Sequence, residues 1–222
     1  MNFIRTSNFT EGKESLADAI ATPLHAGKKV LWLIPGGSNI SVSVAAMKTL
    51  RQNLKTVELK NLAVTLTDER YGPIDHPDSN WRQLSESGLS FEGMNAIPVL
   101  SGLPLAETVA QYGKNVEAAF DAVDIVIGQF GIGPDGHIAG ILPESPAVAH
   151  PRFACGYETP QFTRITLTPL ALKKVDHAFA FASGASKKMA LGQLKSEDLT
   201  LDEQPAQVLK QMKEAVLYSD QV

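Results

Sequence analysis

The sequence predicts an α/β fold of the Rossmann-like kind, a mostly parallel sheet with helices on both faces. Three observations carry this. Short apolar or β-branched runs alternate with longer segments of helical period, which is the pattern of parallel strands joined by crossover helices. The run VDIVIG (123–128) is predominantly apolar, as expected of a central strand covered on both sides. Loops rich in glycine and polar residues follow the strand runs, where ligands bind in such sheets.

Taken in chain order, KESLADAIATPLHA (13–26) spaces its apolar residues at three and four and reads as an amphipathic helix. VLWLI (30–34) reads as a strand, ISVSVAAMKTLRQNL (40–54) as a helix and LAVTLT (62–67) as a second strand. PLAETVAQYGKNVEAAF (104–120) is the next helix and leads into VDIVIG. RITLT (164–168) and HAFAFA (177–182) complete the set of sheet strands, and the alternation in HAFAFA also suits a peripheral one. SKKMALGQLK (186–195) is the last helix of this pattern. No Ser/Gly/Pro linker, repeat or low-complexity run divides residues 1–222, so one domain is expected.

At 44% hydrophobic residues the chain can bury one sizeable core. A net charge of -4, with 20 scattered Lys and Arg, argues against a nucleic-acid surface and places any anion binding in a local pocket. No signal-peptide pattern opens the sequence and no apolar run approaches membrane-spanning length, so no membrane partner is expected. The lone Cys155 excludes an internal disulfide framework, and the cytoplasm is the expected compartment. Cys155 lies in HPRFACGYE, without an activating pattern, and reads as a small packed side chain. Nothing in the pattern specifies an oligomeric state.

Three loops should open onto one rim. In the first, Pro35-Gly36-Gly37-Ser38-Asn39 runs straight into a helix, offering backbone amides and a hydroxyl to an anion. An ordinary strand-to-helix turn with Ser38 as cap is the alternative.

In the second, Asp68-Glu69-Arg70-Tyr71 is followed by Asp75, His76, Asp78, Ser79 and Asn80. Arg70 suits a phosphate or carboxylate, and Asp68 an imidazole or a ring hydroxyl. An internal ion pair, with an Asx or Ser cap for a helix starting near Asn80, explains the same residues. Asp75, His76 and Asp78 lack the companion ligands of a recognisable metal site.

The third, Gly131-Ile132-Gly133-Pro134-Asp135-Gly136-His137, holds a histidine in a tight, unobstructed turn at a strand end, which suits a general base. His25, His150 and His177 read as surface or hydrogen-bonded residues. Further on, Arg164 and the Lys187 of SGASK bring two more cations within reach of the rim.

GGS after the first core strand, DER followed by DHPDSN, GIGPDGH, RITLT and G-x-x-K together resemble the 6-phosphogluconolactonase and glucosamine-6-phosphate isomerase family. The likeness runs from residue 30 to the C-terminal PAQVL and LYSD, and DER with DGH in this order is its most specific part. It implies a Rossmann-like sheet, no metal or organic cofactor, and a six-carbon sugar phosphate held at the strand ends. Residue by residue it makes Gly37 and Ser38 part of the phosphate or sugar site, with Arg164 and Lys187 as phosphate partners. Asp68 and Arg70 fall beside the reacting ring. His137 becomes the general base, and Asp135 and Gly136 complete its motif.

Two chemistries occur in the family: hydrolysis of 6-phospho-D-glucono-1,5-lactone in the pentose phosphate pathway, and isomerising deamination of glucosamine 6-phosphate. Deaminases typically read GHIAFNEP, with a catalytic glutamate five positions after the histidine. Here that position is Leu142, in GHIAGILP, and a leucine cannot shuttle protons. Deaminases also usually carry tyrosine where Arg70 stands. The resemblance therefore implies the lactonase, with the deaminase and a non-catalytic sugar-phosphate-binding protein as alternatives. Asn39, Ile138 and Gly140 stand where hydroxyl-bearing or small polar residues are common, so whether they face the substrate bears on substrate choice.

Overall fold

The computed structural model describes all 222 residues, Met1–Val222. Strand β1 (Asn2–Arg5) leads into helix α1 (Thr10–His25), and β2 (Val30–Ile34) leads into α2 (Ile40–Asn53). The short α3 (Thr56–Leu59) precedes β3 (Leu62–Leu66), and β4 (Asp68–Arg70) follows after one residue. Next come α4 (Asn80–Glu86), β5 (Asn95–Ile97), α5 (Leu105–Ala122) and β6 (Ile125–Gly131). The C-terminal third holds β7 (Ala154–Glu158), β8 (Thr163–Leu167), α6 (Pro169–Leu172), β9 (His177–Ala182), α7 (Lys188–Ser196) and β10 (Glu214–Ser219).

Seven strands form one sheet in the order β1-β10-β9-β6-β2-β3-β5, and every pair in it is parallel. Every residue of β2 and β3 is buried, as apolar strands must be when helices cover both faces. Helices α1, α2 and α4 touch in sequence on one face, and the right-handed crossover rule places α5 and α7, whose connections run the opposite way along the sheet, on the other. From β2 the chain first builds outward through β3 and β5. It then returns to place β6 on the other side of β2, so the crevice of such sheets opens beyond the carboxyl ends of β2 and β6. No helix is long and apolar enough to cross a membrane.

Two strand expectations are corrected. RITLT does not join the parallel sheet: β8 lies in a separate three-stranded sheet, β4-β8-β7, antiparallel to both neighbours. A short apolar run specifies extended backbone but not its partner. The partner here is the DER segment, which continues from β3 through Thr67. The handover is sewn by Thr67 N–H donating to the Ile34 carbonyl at 2.9 Å and Leu167 N–H donating to the Thr67 carbonyl at 2.9 Å. HAFAFA, in turn, is interior, between β10 and β6. Its alternation separates large from small side chains, not buried from exposed ones. Phe181 stacks on Tyr218 and meets Phe9 edge-on, while Ala178, Ala180 and Ala182 are buried on the other face.

Candidate active site

A polar cleft of about 260 Å³ opens at the crevice, and eight of the ten residues singled out from the sequence line it. Gly36, Gly37 and Ser38 come from the loop after β2, Asp68 and Arg70 from β4. His137 follows β6, Arg164 lies on β8, and Lys187 sits just ahead of α7. Asp135 stands behind His137. Gly136 faces away: its Cα packs against Gln204, and its carbonyl accepts a hydrogen bond from Ala206 N–H at 3.0 Å. A ligand contact at Gly136 is therefore not supported by its position.

After the buried end of β2, the chain turns through Pro35-Gly36-Gly37 into a short 3-10 turn, Gly37–Asn39, that runs on into α2. No acceptor in the protein takes the N–H of Gly36 or Gly37. Ser38 makes no capping bond, which leaves its hydroxyl for a ligand. The far end of the loop is tied to the core. Asn39 Nδ2 donates to the Phe181 carbonyl at 3.2 Å, and the buried Gln129 donates through Nε2 to the Asn39 carbonyl at 3.1 Å. Ser43 Oγ completes this knot on Gln129 Oε1 at 3.0 Å.

On β4 the alternating strand period sends Asp68 and Arg70 to the cleft and Glu69 to the opposite side. Arg70 and Arg164 are directly opposed across the β4–β8 ladder. Both guanidiniums lie over the Phe162 ring, at 5.2 and 5.9 Å from its centroid. Asp68 Oδ2 lies 3.4 Å from Arg164 Nη1, and Arg70 Nη1 donates to the Asp78 carbonyl at 2.9 Å. Neither Nε has a protein partner. This surplus of directed donors beside free backbone amides suits the cleft chemically to an oxyanion.

Behind them Glu69 is fully buried and welds β4 to the start of α4. It accepts from Arg70 N–H (2.7 Å), Asn80 N–H (2.6 Å), Trp81 N–H (3.0 Å) and Ser79 Oγ (2.9 Å). Burial pushes its carboxyl above the ordinary range, against the opposing pull of those donors. Ser79 caps α4, accepting from Arg82 N–H at 3.2 Å. His76 is spent on the Arg70 carbonyl at 2.8 Å, and Asp75, His76 and Asp78 do not converge as a group able to hold a metal ion.

The loop after β6 closes on itself through Gly133 N–H to the His137 carbonyl at 2.9 Å. His137 Nδ1 lies 2.6 Å from Asp135 Oδ1, and the hydrogen bond from His137 is the main cause holding the Asp135 carboxyl below its ordinary pKa. An ionised Asp135 takes the Nδ1–H and leaves the Nε2 lone pair free. The imidazole is therefore oriented by Asp135, while Asp68, the other carboxylate suited to that task, pairs with Arg164. Gly133 is required by this contact, since a Cβ there would stand 2.1 Å from His137 Nδ1.

Lys187 is partly buried. Desolvation lowers its ammonium pKa, and the charge of Asp220 partly opposes the shift. Asp220 also holds the loop before Lys187, accepting from Gly184 N–H at 3.0 Å.

Of the three departures from the family pattern, Ile138 is wholly in the core and off the cleft. Gly140 has φ +74, and a Cβ there would meet Asp68 Cβ at 2.6 Å, so the site tolerates no side chain at this point. Asn39 does line the cleft, but its amide is committed to Phe181. Leu142 does not line the cleft and packs against the core. Cys155 is buried on β7 and its thiol pKa is raised by desolvation, the opposite of an activated nucleophile.

Three residues that shape the cleft stand out only in the structure. Asn80 lines it, though DSN reads in sequence as a helix cap. Glu69 and Gln129 shape it from behind. A lone amide inside an otherwise apolar strand run was the available signal for Gln129, and a carboxylate between two cleft residues was the one for Glu69.

The sequence profile of the family described as "Glucosamine-6-phosphate isomerases/6-phosphogluconolactonase" matches residues 7–218. A 6-phosphogluconolactonase of Synechocystis sp. is 30% identical over 169 residues, 69% of this chain and 68% of its own. The crystal structure of a putative 6-phosphogluconolactonase from Neisseria gonorrhoeae is 26% identical with TM-score 0.74, covering 99% of both chains. A monomeric glucosamine-6-phosphate deaminase shares the fold at TM-score 0.79 and 17% identity, over 100% of this chain and 98% of its own. The chain belongs to the glucosamine-6-phosphate isomerase/6-phosphogluconolactonase family.

Proposed function

We propose that the protein is a 6-phosphogluconolactonase that hydrolyses 6-phospho-D-glucono-1,5-lactone to 6-phosphogluconate, a step of the pentose phosphate pathway. The observation that carries this is the Asp135–His137 pair at 2.6 Å, with Nε2 free beside a cleft lined by Arg70, Arg164 and Lys187. Arg164, Lys187 and the free glycine-loop amides anchor the phosphate. His137 Nε2 takes a proton from water as the water oxygen bonds to the lactone carbonyl carbon. The tetrahedral oxyanion draws on Arg70 or on backbone N–H donors. Its collapse breaks the bond from that carbon to the ring oxygen, and the imidazolium returns its proton to that oxygen. This sequence balances without a metal or organic cofactor and without a covalent intermediate.

Leu142 offers no carboxylate for ring opening, which favours hydrolysis over deamination. A coupled assay of the two substrates tests the reading. The expected result is acid release from the lactone above its spontaneous rate, with no ammonia from glucosamine 6-phosphate. Ammonia release, or tight binding without turnover of either compound, overturns it in favour of a deaminase or a sugar-phosphate-binding protein.

A further inference from the structure

Gly36 presents a puzzle that its backbone does not resolve. Its φ of -85 and ψ of -166 are extended values open to any residue, so a positive φ does not require glycine here. A Cβ on Gly36 would nevertheless collide with a side chain already present: Asn80 Oδ1 would lie 2.0 Å from it and Asn80 Cγ 2.2 Å.

Asn80 is itself 1% exposed and held at both ends. Its backbone N–H is taken by Glu69 at 2.6 Å, which fixes its Cα to β4. Its Nδ2 donates to the Asp68 carbonyl at 2.9 Å, which fixes the amide plane. Oδ1, buried and without a partner, is thereby pressed over Gly36.

We infer that Asn80 is a positioning residue: its amide is the spacer that sets the gap between the glycine loop and Asp68, and position 36 is glycine to admit that amide, not a ligand. One side chain then couples the anion-binding loop to the strand carrying Asp68 and Arg70, two parts of the cleft contributed by different sheets. The inference deepens the lactonase reading, since it rests on the glycine loop being the phosphate cradle of that site.

A double-mutant cycle with Gly36→Ala and Asn80→Ala tests it, read by inorganic phosphate affinity, by kcat and KM on the lactone, and by melting temperature. Gly36→Ala alone should weaken phosphate binding about tenfold or more, because the loop must move to relieve the overlap. In the Asn80→Ala background the same methyl group has room, and its penalty should fall to about threefold or less. Asn80→Ala alone should raise KM and lower kcat together, since it frees both the loop and the Asp68 carbonyl. An equal penalty for Gly36→Ala in both backgrounds overturns the inference, because glycine would then be needed by the ligand. If Asn80→Ala does not fold, Asn80→Ser, which also removes the overlapping amide, replaces it in the same cycle. Wild-type protein that binds phosphate but leaves the lactone untouched would sink the lactonase reading, while the phosphate arm would still decide the role of Asn80.

Discussion

Arg70 and Arg164 leave directly opposed positions on β4 and β8, and both guanidiniums rest on Phe162. Like charges so placed oppose strand pairing by about 0.2–1 kcal/mol, and only Arg164 has a carboxylate partner, Asp68. The two arginines should therefore respond differently to removal. Arg70→Met should leave the melting temperature of the phosphate-free protein unchanged or slightly raised. Arg164→Met strands the mostly buried Asp68 carboxylate and should cost about 1–3 kcal/mol. For the wild type, phosphate at a hundred times its Kd should add about 2.7 kcal/mol, and both variants should lose most of that gain through weaker binding. Thermal melts with and without phosphate read all three values, and equal melting temperatures for the two variants without phosphate would contradict the charge arrangement.

His137→Ala should lower kcat by about 10²–10⁴-fold with phosphate affinity nearly unchanged, because in the proposed mechanism the imidazole supplies proton transfer and not anchoring. The measurement needs correction for spontaneous lactone opening. A variant turning over at the wild-type rate would remove His137 from the mechanism.

Gly133→Ala is a test of geometry without any change in titratable groups. The added Cβ would stand 2.1 Å from His137 Nδ1 and 2.6 Å from Asp135 Oδ1, so the pair must shift. Displacing a catalytic group by about 1 Å costs about 10²-fold, and the loss should fall on kcat with KM spared.

Asp135, with its folded pKa below the ordinary value, gives stability that is complete above the unfolded carboxyl pKa. That stability disappears as pH falls through the folded value. Asp135→Asn should accordingly lower stability at neutral pH, converge with the wild type below the folded value, and so flatten the acid limb of the stability curve. It should also lower kcat, because an amide fixes the imidazole tautomer less firmly than a carboxylate. Acid titration of melting temperature, wild type against Asp135→Asn, checks the first part.

Lys187 is also held below its ordinary pKa, but by burial, which disfavours its charged form. Burial depresses its folded pKa, so the folded state gains relative to the unfolded state as pH rises from the folded towards the ordinary lysine value. Phosphate prefers the charged ammonium, and its affinity should fall over that same alkaline interval. Lys187→Met should weaken binding and remove this limb of the pH profile, as titration calorimetry above neutral pH would show.

Much of this architecture was legible beforehand because it follows local rules. VLWLI and HAFAFA became strands at the expected residues, and the glycine-rich strand ends met at one cleft. What stayed hidden depended on partners distant in sequence. RITLT had the composition of any buried strand, and only tertiary pairing decided that it would meet DER in antiparallel register. Asp68 reads in sequence as suited to an imidazole or a ring hydroxyl, but its side chain meets Arg164, 96 positions away, and Asp135 holds His137 instead. Asn80 and Gly36 looked like two ordinary turn residues, and their mutual exclusion of volume exists only once α4 is pinned by Glu69.

The cleft draws on β4 and β8, whose ion-paired residues Asp68 and Arg164 are 96 positions apart in the chain. Closing so long an interval is entropically costly and is repaid only when the intervening strands and helices are already packed. A fragment ending before β8 lacks Arg164 and Lys187 and leaves β4 without its antiparallel partner. Catalytic activity should then return during refolding only with the final cooperative phase, which makes turnover a direct gauge of how much of the population is completely folded.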